Sequence, residues 1–205
     1  MDLDSTTRLL VMAGIAAPFA FAIIVAVGAA IRPGYSHVGN AISELVGAGA
    51  PNRLPLNVAF LIYNLLIIAF GAGVIIAFDD APLATRLAGW FLAATGAFGV
   101  IMWPFPMDQI GTPATARGIG HIVLAGFTSV GTMAAVLSFA IGTQDLPGWE
   151  AFSTYSHITL AVVFVTGAVA AFSAVRLWPT MGLLERLTIG AGLQWVAMLA
   201  FTMLG

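Results

Sequence analysis

Charge is almost absent from this chain, and its placement is the feature that most restricts the fold. Seven basic and nine acidic residues are spread over 205 positions. They leave six stretches free of Asp, Glu, Lys and Arg: residues 9–31, 54–78, 87–107, 118–144, 151–175 and 187–205. A helix rising about 1.5 Å per residue crosses about 30 Å of hydrocarbon in about 20 residues. Every stretch is long enough to span. The pattern predicts an all-α integral membrane protein of one domain, a bundle of six transmembrane helices near 9–31, 54–78, 87–107, 118–142, 152–176 and 187–204.

Composition supports the same reading. Hydrophobic residues make up 60% and charged residues 8%, with a mean hydropathy of +1.01. A soluble domain carries roughly a quarter charged residues, so there is too little charge here for a water-facing surface. A net charge of −2 offers no basic field for nucleic acid. Cys 0 removes thiolate metal sites and iron–sulfur clusters, and the absence of Lys removes Schiff-base chemistry. No Gly-rich phosphate loop points to a nucleotide. Asp2, Asp4 and Arg8 form an acidic flank to a long apolar run, which predicts a retained first span rather than a cleaved leader.

The first connection is the longest and reads RPGYSHVGNAISELVGAGAPNR over 32–53. Pro33-Gly34 and the Gly47–Pro51 segment mark turns. Between them, residues 36–46 have the pattern of a short helix of three turns, interfacial or re-entrant. Such a helix places His37, Asn40 and Glu44 on one face with Ser43 beside it, and Val38, Ile42 and Leu45 opposite. Gly is abundant inside the spans, as close packing of membrane helices requires. Trp103, Trp149, Trp178 and Tyr35 fall near span ends, as an aromatic belt does.

With six spans, the first, third and fifth connections share one side of the membrane. Arg32, Arg53, Arg117, Arg176 and Arg186 belong to that side, against Arg8 and Arg86 on the other. The bias predicts a cell-membrane protein with those loops in the cytoplasm and both termini outside. His37, Glu44, Asp108, Arg117 and His121 all fall on that same side. Arg117 and His121 are spaced i, i+4, and His121 sits about one turn into an apolar span, where an ionisable group is a functional candidate. Glu44, Asp108, Arg117 and His121 are therefore expected to converge on one cluster, with Asp108 pairing with Arg117 or holding His121.

Several chemistries fit that residue set. His37, His121, Asp108 and Glu44 make a nitrogen and oxygen set for a divalent metal such as zinc. Without metal, the Ser43 hydroxyl with a His base and a carboxylate suits acyl transfer, with His121, Asp108, Ser43 and Glu44 as catalytic candidates. His37, Asn40 and Arg117 are candidates for binding. An Asp–Arg–His hydrogen-bond network that fastens loops to the bundle is the structural reading of the same residues, and it stands ahead of these. His157 lies toward the opposite side from His121, so no bis-His haem site is expected.

Tyr35-Ser36, Asn40 and Ile42-Ser43-Glu44-Leu45, followed by Phe105-Pro106-Met107-Asp108 and His121, resemble the domain of unknown function 998 family. That family consists of small six-span prokaryotic membrane proteins. The resemblance implies the six-helix architecture and the importance of Ser43, Glu44, Asp108 and His121, and supplies no activity. A more distant analogy is to the intramembrane hydrolases that include alkaline ceramidases. This chain departs from them in having six spans and no HxxxH in its last helix. The leading expectation is a protein that binds membrane lipid or another hydrophobic small molecule in a pocket with a polar tip at one membrane face. A membrane-embedded lipid hydrolase, metal-dependent or not, is the alternative. A non-catalytic subunit or assembly factor is a third, and a homo-oligomer or a membrane-protein partner fits any of them.

Overall fold

The computed structural model describes residues 2–205, and it turns the six apolar stretches into six helices. These are α1 (Ser5–Ala30), α2 (Arg53–Ala77), α3 (Leu83–Ile101), α4 (Ala116–Thr143), α5 (Glu150–Val175) and α6 (Met181–Leu204). All six are long and apolar enough to cross a membrane. Each packs on the next, and α6 returns against α1, so the bundle is a closed ring. Large apolar side chains such as Ile122 (70% exposed), Phe164 and Val175 line its outer wall. In water that surface would drive aggregation. In a bilayer it meets acyl chains, and the chain is a multi-pass membrane protein.

Toward the end that holds the termini and the second and fourth connections, the centre of the ring is filled by an aromatic cluster. There Phe78, Phe139, Trp149, Phe152 and Trp195 meet largely edge to face, with neighbouring centroids 5.2–6.2 Å apart. Trp195 is fully buried, and its indole N–H donates to Ser156 Oγ at 2.9 Å. Ser153 Oγ donates to the Ala140 carbonyl at 2.8 Å, tying α5 to α4. Between α2 and α3 the backbones nearly touch. A Cβ on Gly71 would stand 2.6 Å from the Gly89 carbonyl oxygen, and one on Gly89 2.6 Å from that of Gly71. Only glycine permits that approach.

The other end of the ring is capped by the first connection, residues 31–52. The helix expected over 36–46 is shorter than its pattern suggests: only Ile42–Val46 is helical, as a single 3-10 turn. Ser36 and Asn40 are the reason. Ser36 Oγ accepts from the amides of Val38 and Gly39, and Asn40 Oδ1 accepts from the Ser36 amide, so side chains take the place of helical carbonyls and oxygens. Ile42 and Leu45 do not rest on lipid. They are buried in a second core with Ile24 and Val25 of α1 and Leu56 of α2, so the loop sits in the bundle mouth. The sixth helix also begins earlier than expected, at Met181 rather than 187, and carries Glu185 and Arg186 in its second turn.

Candidate functional site

The loop in the bundle mouth is held by polar contacts from α6. Arg186 donates to the Asn40 carbonyl at 2.9 Å, to the Gly182 carbonyl at 2.8 Å and to the Tyr35 hydroxyl at 2.6 Å. Glu185 Oε2 accepts from the Ile42 amide at 2.6 Å, satisfying the first free N–H of the 3-10 turn. Two guanidinium groups lie within cation–π distance of the Tyr35 ring, Arg186 at 5.6 Å and Arg32 at 5.9 Å from its centroid. Burial pushes the pKa of the Tyr35 hydroxyl up, so it stays protonated and donates to the Ala41 carbonyl at 2.9 Å.

Glu44 closes this loop on itself. One carboxylate oxygen accepts from the Ala41 amide at 2.7 Å and the other from Asn40 Nδ2 at 2.9 Å. The carbonyl of Glu44 accepts from the Arg32 guanidinium. Past the 3-10 turn, the segment from Gly47 to Ala50 runs beside the third connection, residues 102–115. The Ala48 amide donates to the Met107 carbonyl at 2.8 Å, and Gln109 Nε2 donates to the Ala48 carbonyl at 3.0 Å. Gly49 has φ 75°, and a Cβ there would lie 2.7 Å from Gln109 Nε2, so glycine is needed twice over. A cleft of about 250 Å³ opens between the two connections. Arg32, Glu44, Asp108 and Gln109 supply its polar walls, with Met107 and Ile110 on the apolar side.

Asp108 stands at the edge of that cleft and also caps α4. It accepts from the Thr115 amide at 2.8 Å and the Thr115 hydroxyl at 2.7 Å. These bonds, with a smaller contribution from His121, hold its carboxyl below the usual range. Thr115 Oγ in turn accepts from the Gly118 amide at 3.1 Å. Gly118 packs directly under Asp108, where any Cβ would collide with the carboxylate. His121, one turn further, is buried, and its Nδ1 is 2.9 Å from the Phe105 carbonyl. A carbonyl only accepts, so Nδ1 carries a proton.

The structure thus separates several residues that the pattern suggested would meet. Glu44 and Asp108 share the cleft; His121 and Arg117 do not line it. Arg117 is exposed, and the expected pairing with Asp108 does not form. Among the described residues the one ion pair is Arg86–Asp79, 3.4 Å, at the opposite end. Asp108 is already engaged by Thr115, and Arg117 is exposed in the first turn of α4. His37 is exposed and makes an edge contact with Tyr35 at 5.7 Å. Ser43 Oγ donates to Met107 Sδ at 3.0 Å rather than to a histidine. Among the described residues no three of His, Cys, Asp and Glu group closely enough to hold a metal ion.

Pattern reasoning placed Tyr35 and Arg186 at this end but did not assign them, or Glu185, to the contacts that hold the loop, nor Arg32 and Gln109 to the cleft walls. A signal for the first group was available: a Glu-Arg pair immediately before an apolar run, on the same side as a loop rich in amides and hydroxyls. A family model described as "Protein of unknown function (DUF998)" matches residues 15–202. No curated protein and no solved structure matches the chain.

Proposed function

From the premise that the chain belongs to the DUF998 family, whose function is unknown, we propose that it binds the polar end of a membrane lipid in the cleft between its first and third connections. The observation that carries this reading is the charge arrangement around that 250 Å³ space. One basic residue, Arg32, and two acidic ones, Glu44 and Asp108, line it. A headgroup holding a phosphate and an amine is complementary to such a set. Arg32 commits one donor to the Glu44 carbonyl and keeps others for phosphate oxygens. Asp108, ionised well below neutral pH, suits the ammonium. Met107 and Ile110 supply apolar contact for the glycerol end of the ligand.

Ligand pockets of this kind are mostly apolar with a few placed polar groups, and a headgroup site at the mouth of a bundle reverses that ratio because the acyl chains remain in the bilayer. The test is native mass spectrometry of the protein released from vesicles of phosphatidylethanolamine, phosphatidylcholine or phosphatidylglycerol. Retention of phosphatidylethanolamine, lost on Ile110→Trp, which fills the cleft without touching its hydrogen bonds, is the expected result. Equal retention of all three lipids, or retention unchanged by Ile110→Trp, contradicts the proposal.

A further inference from the structure

Gln194 lies near the midpoint of α6 (Met181–Leu204) and faces outward, exposed, between Leu187 and Phe201 on the same wall. Its carboxamide takes part in no hydrogen bond among the described residues, although neighbouring Thr188 and Thr202 satisfy their hydroxyls on carbonyls of their own helix. The position is about 15 Å or more from either helix end, too far for a two-carbon stem to bring the amide to the headgroups. Acyl chains carry neither donor nor acceptor at that depth, and an unpaired amide in hydrocarbon is strongly unfavourable. One turn away, Gly190 is also exposed, and a Cβ built there meets nothing within 4 Å. The helix backbone is therefore open to close approach at the level of the unpaired amide.

We infer that this face of α6 is the contact between two copies of the chain, paired through Gln194. A carboxamide has two donors and an acceptor, so two of them related by a two-fold axis satisfy each other reciprocally, as an isologous interface requires. Gly190 lets the two helices come near enough for short side chains to meet, and polar side chains of this type hold membrane helices together. A second copy supplies the complementary group by symmetry.

The chain has no cysteine, so single cysteines report position cleanly. Full-length protein in liposomes, diluted over a range of protein-to-lipid ratios, is the sample. Three variants are compared with it: Gln194→Leu, Gln194→Asn and Leu187→Cys, the last treated with a bis-maleimide. Phe164→Cys on the outer wall of α5 is the control. A dimer whose dissociation constant rises about tenfold in Gln194→Leu and is largely kept in Gln194→Asn is expected, with cross-linking at Leu187→Cys and not at Phe164→Cys. Thermal melting of each variant separates loss of association from loss of fold. A wild-type monomer at every dilution, a Gln194→Leu variant that dimerises as wild type, or cross-linking through Phe164→Cys in place of Leu187→Cys overturns the inference.

Discussion

At the scale of single residues, Asp108 does two jobs with one carboxylate. It caps the start of α4 through Thr115 and presents negative charge to the cleft. Its pKa in the folded chain lies below the ordinary carboxylate value. The sign follows directly: the folded state holds that proton less tightly than the unfolded chain, so the carboxylate stabilises the fold above the ordinary carboxylate range. That contribution is lost as pH falls through the depressed value. Asp108→Asn is expected to flatten the acid limb of a stability-against-pH curve measured by thermal melting, by lowering stability at neutral pH while leaving the acid end little changed. The hydroxyl beneath it is equally specific. Thr115→Ala removes the acceptor for the Gly118 amide and should cost about 1 kcal/mol, the ordinary value of an N-cap. Gly118→Ala forces the Asp108 carboxylate aside, and hydrogen exchange over residues 112–119 should quicken in both variants.

At the scale of elements, the first connection is a plug rather than a strand of loose loop. Ile42 and Leu45 fill the mouth of the bundle, and Arg186 and Glu185 hold the plug from α6. Replacing Arg186 by Met keeps most of the side-chain length while leaving the Tyr35 hydroxyl and the Asn40 carbonyl without their charged partner. About 2 kcal/mol of local stability should be lost, seen as faster amide exchange over residues 35–46 with the helix content unchanged by circular dichroism. This element also marks where sequence reasoning stopped. The six helices were legible because charge delimits apolar runs in a membrane protein. The same delimiter misplaced the start of α6, since Glu185 and Arg186 belong to the helix and bond to a loop 143 and more residues away. Helical spacing over 36–46 correctly grouped Ile42 with Leu45. It could not register that Ser36 and Asn40 would bond their own backbone and leave Glu44 turned back onto Ala41. Parity brought Glu44 and Asp108 to one end, as the cleft shows, yet parity carries no information on which face of α4 Arg117 takes.

For the whole molecule, the even-loop end is a dense aromatic core and the odd-loop end is a plugged mouth with a charged cleft. We propose that the mouth faces the cytoplasm, on the arginine bias of five against two between the two sides. Single cysteines at Ser36, Thr112 and Gln144, labelled with an impermeant maleimide on intact cells, read this directly. Gln144→Cys should react at once, and Ser36→Cys and Thr112→Cys only after permeabilisation; the reverse pattern inverts the orientation without altering the fold. The central claim concerns the cleft itself. Phosphatidylethanolamine carrying a photoreactive group on its headgroup, cross-linked to the full chain in liposomes and mapped by mass spectrometry, tests it most directly. Labelling of the segments 47–50 and 107–110, suppressed by Ile110→Trp, is the expected result. Labelling confined to the outer walls of α4 and α5, or unaffected by Ile110→Trp, would contradict a headgroup site in the cleft.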